Sequence, residues 1–274
     1  KFKYNFNLNS EIISAFAQAQ FVYNPIDFFI SLYVSGTSHQ RVGLYQNGGF
    51  LDTSLGPSEK KKFMNYGFKT GATYKITGRH LIDINAAYLT VAPTIRNTFS
   101  NSRENNNIVL DLQSEKILST DVSYIFRNPI ITSKLTAYYT SIKDATEISF
   151  YFADGVGGDN SAFVQEILRG INKKHLGLEL GIEAQITATF KLKGAVALGE
   201  HTYDNNPLLY LTTEADTASQ AAGFENGFKD FGEVYLSNYK LAVGPQKASS
   251  FGFEYRDPSY WWVGATLNFF ENSF

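Results

Sequence analysis

The sequence predicts an all-β protein, a transmembrane antiparallel β-barrel with about eleven strands within these 274 residues. Apolar and polar side chains alternate with period two over long segments, as they do in strands with two different environments. Long and short connections also alternate along the chain, whereas no segment approaches the roughly 20 apolar residues of a membrane helix. A soluble β-sandwich fits less well, because its strands usually have about five or six residues.

The alternation is clearest in "HLGLELGIEAQI", where Leu176, Leu178 and Leu180 oppose Glu179 and Glu183. An apolar row of this length suits lipid, and a row of glycine and carboxylate side chains suits a wet barrel interior. The predicted strands cover residues 1–8, 11–22, 27–37, 61–76, 81–91, 116–126, 131–143, 173–187, 190–200, 247–256 and 261–271.

The connections predict which end of each strand carries the large loops. The short turns are expected at residues 24–27, 77–80, 127–130, 187–189 and 257–260. The long polar loops are expected at residues 38–60, 92–115, 144–172 and 201–246. Antiparallel strands with this rhythm place all long loops at one end, which is the extracellular end of an outer-membrane barrel. Aromatic residues beside the short turns predict an interfacial girdle: Tyr74, Tyr124, Trp261 and Trp262.

Composition gives few signs of chemistry. The 24 basic and 26 acidic residues nearly balance, so no nucleic-acid surface is predicted, and the absence of cysteine excludes disulfide and thiolate chemistry. The sequence has no nucleophile elbow and no phosphate-binding loop, and its histidines (His39, His80, His175 and His201) are scattered. We therefore predict no enzyme, no cofactor and no metal site. The first residues already alternate, so we expect the chain to be part of a longer protein.

Three stretches resemble TonB-dependent outer-membrane receptors, particularly the SusC-like, carboxypeptidase-regulatory-like-domain-containing receptors of Bacteroidota. "VLDLQSEKILSTDVSYIF", followed by "SKLTAYYTSIKD", is similar to a mid-barrel pair of strands in this family. "ITGRHLIDINAAYLTVAPTIRNTFSNSREN" is similar to the strand and loop before that pair. "GPQKASSFGFEYRDPSYWWVGATLNFF" resembles a late hairpin and is the most specific of the three.

The resemblance implies a place in the bacterial outer membrane and an interior portion of a barrel of about twenty-two strands. An odd count of about eleven strands, with unpaired edges in lipid, also favours an incomplete barrel. Residues 1–274 would then be part of one barrel domain, with a plug domain and further strands outside it. The implied partners are lipid, the protein's own plug, the TonB complex and a SusD-like or other surface lipoprotein. Glycan, peptide, siderophore and cobalamin remain open as substrates.

The long loops contain the candidate contact residues for a substrate or partner. Arg96 and Arg103 lie among Asn and Ser residues, a setting that suits carboxylate or hydroxyl-rich ligands and equally an ordinary solvated loop. Asp216 and Glu225 belong to an acidic loop with apolar clusters, and structureless loops of that length are uncommon unless they are functional. That loop could cap a ligand, dock a lipoprotein or pack over the barrel mouth.

The polar row predicts four residues that face the lumen and a plug: Lys69, Asp121, Glu179 and Glu183. Glu179 and Glu183 are about 13 Å apart along a strand, which exceeds the separation of roughly 5–9.5 Å in a glycosidase pair. They are therefore predicted to be lumen charges, and Gly177 and Gly181 beside them to leave room for the plug.

The leading hypothesis is a receptor that imports a nutrient through energised movement of its plug. One alternative is a receptor-like barrel that serves as a structural subunit of a larger outer-membrane assembly. The other is an outer-membrane protease or lipase, which requires an acid, base or nucleophile cluster at the barrel rim.

Overall fold

The described part of the protein, residues 4–154, 161–213 and 223–274 of a computed structural model, is built almost entirely from β-strands. The strands are β1 (Phe6–Val22), β2 (Ile26–Gly43), β3 (Gly56–Pro57), β4 (Lys61–Lys75), β5 (His80–Val91), β6 (Glu115–Arg127), β7 (Ile131–Asp154), β8 (Ser161–Gln185), β9 (Phe190–Tyr203), β10 (Leu208–Thr212), β11 (Phe228–Glu233), β12 (Lys247–Arg256) and β13 (Trp262–Glu271). A single 3-10 turn, Ile95–Asn97, is the one helical element among these residues. No helix in these ranges is long and apolar enough to cross a membrane.

Ten of the thirteen strands form one antiparallel path in the order β1-β2-β4-β5-β6-β7-β8-β9-β12-β13. The sheet is open, since β1 and β13 lie at its two ends. Strand β3 pairs with β2, whereas β10 pairs with both β8 and β11. The all-β antiparallel fold predicted from the alternation is thus confirmed.

The prediction of about eleven strands separated two segments that belong together, because residues 6–8 and 11–22 lie in the single strand β1. Asn9 and Ser10 pair with Gln40 and His39 without interruption. Two polar residues in succession do not end a strand that stays in register with its neighbour on both sides of them. The main path therefore has an even number of strands, and the argument from an odd count no longer supports an incomplete barrel.

The prediction of a loop at 144–172 was also wrong. Most of these residues belong to β7 and β8 and lengthen the hairpin that the two strands form. The two strands have 24 and 25 residues, and their register shifts near Ala145. Asp144 adopts a positive φ of 61° at this irregularity and Gly170 a φ of 66°. The bulge interrupts the alternation, which resumes as Ile148, Phe150 and Phe152. Similarly, the long segment after β9 is not structureless, since it contains the β10–β11 hairpin.

The two faces of the sheet differ as the alternation predicts. In β4, Met64 and Tyr66 are 73% and 57% exposed, whereas Phe63 and Asn65, which point the other way, are 7% and 1% exposed. Strand register continues both rows across the sheet, so we call the row of Met64 and Tyr66 the outer face and that of Phe63 and Asn65 the inner face. An apolar surface this extensive is rare in soluble monomers but suits lipid.

The aromatic residues at the short-turn end are exposed, as expected for side chains at an interface. Tyr74, Tyr124 and Trp261 are 46%, 42% and 52% exposed, and the Tyr124 hydroxyl lies 2.6 Å from His80 Nδ1. The long connections lie at the opposite end of the sheet. There the inner face is covered by protein, and there the hydrophobic core is found.

Candidate functional site

The connection between β5 and β6 (residues 92–114) folds back over the inner face at the long-loop end. Thr94 caps its 3-10 turn, with its hydroxyl accepting from the Asn97 backbone N–H. Phe99 and Ile108 then form an isolated antiparallel bridge, and the Val109 N–H donates to the Thr98 carbonyl at 2.9 Å. These local bonds give loop 92–114 a fixed shape, so its side chains can contribute to a site.

An apolar cluster attaches this loop to the sheet. Val109 and Leu112 of the loop pack against Phe63 of β4, Ile167 of β8 and Tyr210 of β10, and all five are buried. Burying such side chains is worth roughly 1.5–3 kcal/mol each. Three strands that are distant in the sequence, β4, β8 and β10, therefore jointly fix the loop on the sheet.

Arg41 is the most deeply buried cation among the described residues, with 1% of its surface exposed. Its guanidinium donates to the backbone carbonyl of Ser102 at 2.7 Å, to that of Ser54 at 2.9 Å and to Asn106 Oδ1 at 2.5 Å. The planar fork of an arginine can serve several acceptors at once. Arg41 therefore ties two loops, 44–55 and 92–114, to the end of β2.

Loop 44–55 can lie this close to the end of β2 only because residue 43 is glycine. A Cβ at Gly43 would lie only 1.8 Å from the Ser54 carbonyl oxygen. Any side chain there would displace the segment that Arg41 holds.

His39 lies next to Arg41 on the inner face and is buried, with its Nδ1 at 2.8 Å from the Thr98 hydroxyl. Burial lowers the pKa of the imidazole, because the charged form loses its hydration. The unfolded chain then binds the proton more readily than the folded one. The stability that neutral His39 contributes is therefore present above the unfolded-state pKa of about 6.5 and is lost as the pH falls below it.

We expect loop 92–114 to open more readily under mild acid. The protection factors of its amides, which are corrected for the intrinsic exchange rate at each pH, should fall between pH 7 and pH 5, by at most about tenfold per pH unit for one proton. His39→Gln should remove this dependence, whereas His80→Gln, at the short-turn end, should retain it. An unchanged pH dependence in the His39→Gln protein would contradict the assignment.

Arg96 and Arg103, two of the predicted contact residues, are brought together by loop 92–114. The Arg96 guanidinium lies 5.2 Å from the centre of the Phe150 ring, and that of Arg103 lies 5.4 Å from the same ring. Arg103 is also 5.3 Å from the Phe163 ring and 5.6 Å from that of Tyr4. Two cations from the loop therefore lie within cation–π distance of aromatic rings of the β7–β8 hairpin.

A cavity of about 200 Å³ lies between the loop and this hairpin, and we call it the arginine cavity. Its lining residues are Phe6, Arg96, Phe99, Ser100, Asn101, Ser102, Arg103, Ile148, Phe150, Phe163 and Gln165. Asn101 Nδ2 and the Thr212 hydroxyl each donate to Gln165 Oε1 at 3.1 Å, so the polar floor of the cavity is held in place. The arrangement combines aromatic walls, a fixed polar floor and positive charge.

The predicted acidic contacts are not part of this cavity. Glu225 lies before β11 with an exposed side chain, and its backbone exchanges hydrogen bonds with Phe228. Asp216 lies outside the described residues. A role in ligand or partner contact remains a prediction for both.

The four predicted lumen residues all lie on the inner face, by strand register. Glu183 pairs with Lys191 at 2.7 Å, and Asp121 accepts from Asn85 Nδ2 at 3.1 Å. Lys69 lines a second cavity of about 450 Å³, near the β1 edge. Glu179 is exposed on the same face. Contact with a plug remains a prediction for all of them.

The two glycines beside these charges have different surroundings. A Cβ at Gly177 would lie 2.5 Å from the Leu198 carbonyl oxygen and 2.7 Å from the Tyr138 hydroxyl, so this glycine makes room for its own barrel wall. A Cβ at Gly181 would meet nothing within 4 Å. Only Gly181 therefore leaves open space on the inner face.

Two of the histidines that look scattered in the sequence are neighbours in the structure. His175 and His201 are paired in register on β8 and β9, with their Nδ1 atoms 3.0 Å apart. One ring can donate to the other at this distance. The described ranges contain no group of three or more His, Asp or Glu side chains arranged to hold a metal ion.

Sequence reasoning missed His39, Arg41, Phe150, Phe163 and Tyr210. The alternation of β2 continues past its predicted end, which would have placed His39 and Arg41 on the inner face. The renewed alternation at 148–152 would have revealed the hairpin that contains Phe150. No local signal marks Tyr210, because its partners are far away in the sequence.

No protein-family model matches the sequence, and no curated protein matches it. The fold is similar to that of the copper transporter OprC, with 13% identity and a TM-score of 0.65 over 94% of this chain and 34% of OprC. It is also similar to the ferric-catecholate import receptor Fiu from E. coli K12, with 13% identity and a TM-score of 0.53 over 92% of this chain and 39% of Fiu. Both are TonB-dependent outer-membrane receptors, and this chain spans little more than a third of either.

Proposed function

We propose that this chain is part of the barrel of a TonB-dependent outer-membrane receptor, which imports a nutrient ligand recognised at its long-loop end. The observation that carries the proposal is the open antiparallel sheet with an apolar outer face and a polar inner face. This sheet matches the barrel portion of two such receptors at low sequence identity. Further strands, outside this chain, would then cover the edges at β1 and β13.

The inner face supports the presence of a plug domain elsewhere in the protein. Its charged groups include Lys69 and Glu179, neither of which forms an ion pair within the described ranges, and Gly181 leaves space beside them. A polar surface of this kind suits a hydrated interface with a second domain. In this proposal the barrel performs no covalent chemistry, and it supplies a rigid wall and the recognition loops.

The finer assignment to the SusC-like receptors of Bacteroidota, with a SusD-like lipoprotein as partner, rests on the three resembling sequence stretches. The segment after β9 is the proposed docking surface. This segment adds exposed aromatic side chains at the long-loop end, including Phe231 in β11 and Tyr235 just after it. The substrate class follows from none of these features.

Binding to TonB tests the proposal. We expect the full-length receptor, purified in detergent, to be retained by the immobilised periplasmic domain of TonB. A matched variant without the segment that precedes its plug should pass through. If the intact receptor also passed through and co-purified with several envelope proteins, the protein would instead be a structural subunit.

A further inference from the structure

We propose that the arginine cavity binds an aromatic carboxylate, either as a free ligand or as one group of a larger one. This inference deepens the proposed function, because it names the chemistry of a ligand for a receptor. It rests on three features of the cavity: two arginines that form no ion pair in the described ranges, aromatic walls and small size.

The charge is the first feature. Arg96 and Arg103 form no ion pair with any other residue in the described ranges. By contrast, Arg169 nearby pairs with Asp111, and Lys173 pairs with Glu147. Two cations close to the same ring repel each other, and an anion near both would relieve this repulsion.

The same two arginines also provide the hydrogen-bond donors for a carboxylate. A guanidinium has five N–H donors, so contact of Arg96 and Arg103 with aromatic rings leaves donors for a ligand. A carboxylate accepts two such N–H bonds from one arginine in the fork geometry that this pair favours. Arg96 and Arg103 both line the cavity, so a carboxylate bound there can accept from either of them.

The walls and size define the rest of the ligand. Phe150 and Phe163 have ring centres 5.5 Å apart at an angle of 42°, and Phe6 and Phe99 add further apolar surface. Such walls favour an aromatic ring over a bare inorganic anion. A cavity of about 200 Å³ is smaller than the sites of drug-sized ligands, and a single substituted ring suits it.

Fluorine NMR tests the proposal with 4-fluorobenzoate as the probe and the full-length receptor in detergent micelles. We expect saturable broadening of the probe signal, with a Kd of roughly 0.1–1 mM for a ligand of this size. 4-Fluorobenzamide, which has the same shape without the charge, should bind at least tenfold more weakly. Empty micelles control for partition of either probe into detergent.

Single substitutions separate the contributions of charge and stacking. Arg96→Gln and Arg103→Gln should each weaken binding of 4-fluorobenzoate at least fivefold, and Arg96→Lys should retain part of the affinity because it keeps the charge. Arg79→Gln, at the short-turn end, is the matched control and should bind as the unmodified receptor does. Heat-modifiable migration in gels verifies that each variant has a folded barrel.

The proposal is overturned if 4-fluorobenzoate does not bind, if the benzamide binds equally well, or if both glutamine variants keep full affinity. The probe-binding test and the TonB-binding test can fail independently of each other. A receptor that binds TonB but not the probe would keep its assignment as a transporter and lose this ligand. A receptor that binds the probe but not TonB would keep the cavity and lose the transport role.

Discussion

Leu180→Arg is expected to prevent the sheet from assembling in the outer membrane. Leu180 lies on the outer face, in register with Leu135 of β7 and Val196 of β9, both of which are exposed. It lies about five residues from the short turn after β8, near the middle of a strand that needs about 9–11 residues to cross the bilayer. An arginine at the bilayer midplane costs roughly 2–4 kcal/mol on the lipid face of a barrel.

The adjacent residue provides the control. Gly181 points to the inner face and has open space around its Cβ position, so Gly181→Arg should leave the barrel folded. The measurement is the fraction of full-length receptor that becomes heat-modifiable and protease-resistant in outer membranes. If Gly181→Arg prevented folding and Leu180→Arg did not, the lipid and lumen faces would be exchanged.

Arg41→Met is expected to release loop 92–114 from the sheet while the strands remain paired. Methionine approximates the length of the arginine stem but donates to none of the three acceptors. Each buried acceptor left unsatisfied costs about 1–3 kcal/mol. The protection of the loop amides against hydrogen exchange should fall by at least tenfold, and a protease should cut near Ser102 before it cuts the strands.

Arg79→Met is the matched substitution and should leave the protection of the loop unchanged. Because Arg103 belongs to the same loop, Arg41→Met should also weaken the binding of a ligand in the arginine cavity. A loop that stayed protected in the Arg41→Met protein would mean that the apolar cluster around Ile167 and Tyr210 is sufficient to hold it.

The sequence predicted the strands well where the alternation runs without interruption. β4, β5, β6, β9, β12 and β13 begin and end within about three residues of the prediction, because their two faces have different environments along their full length. The prediction failed at Asn9 and Ser10 and again near Ala145. In both places pairing with a neighbouring strand overrides the local pattern.

Part of the candidate site could be predicted in the same way. Arg96 and Arg103 were recognised because arginine in a polar loop suits anionic ligands. Their convergence on Phe150 could not be foreseen, since Phe150 was assigned to a separate loop. The order and mutual contacts of loops depend on residues that are distant along the chain, and alternation carries no information about them.

By itself, the sequence determined the all-β class, the two faces of the sheet and the end at which its long loops lie. These properties follow from side-chain periodicity and connection length, which are local. Only the tertiary structure decided that loop 92–114 folds onto the inner face, where Arg41 reaches Ser102 across 61 residues of sequence. Contacts of this kind form only when the sheet has brought distant segments together, and they create the cavity between Arg96, Arg103 and Phe150.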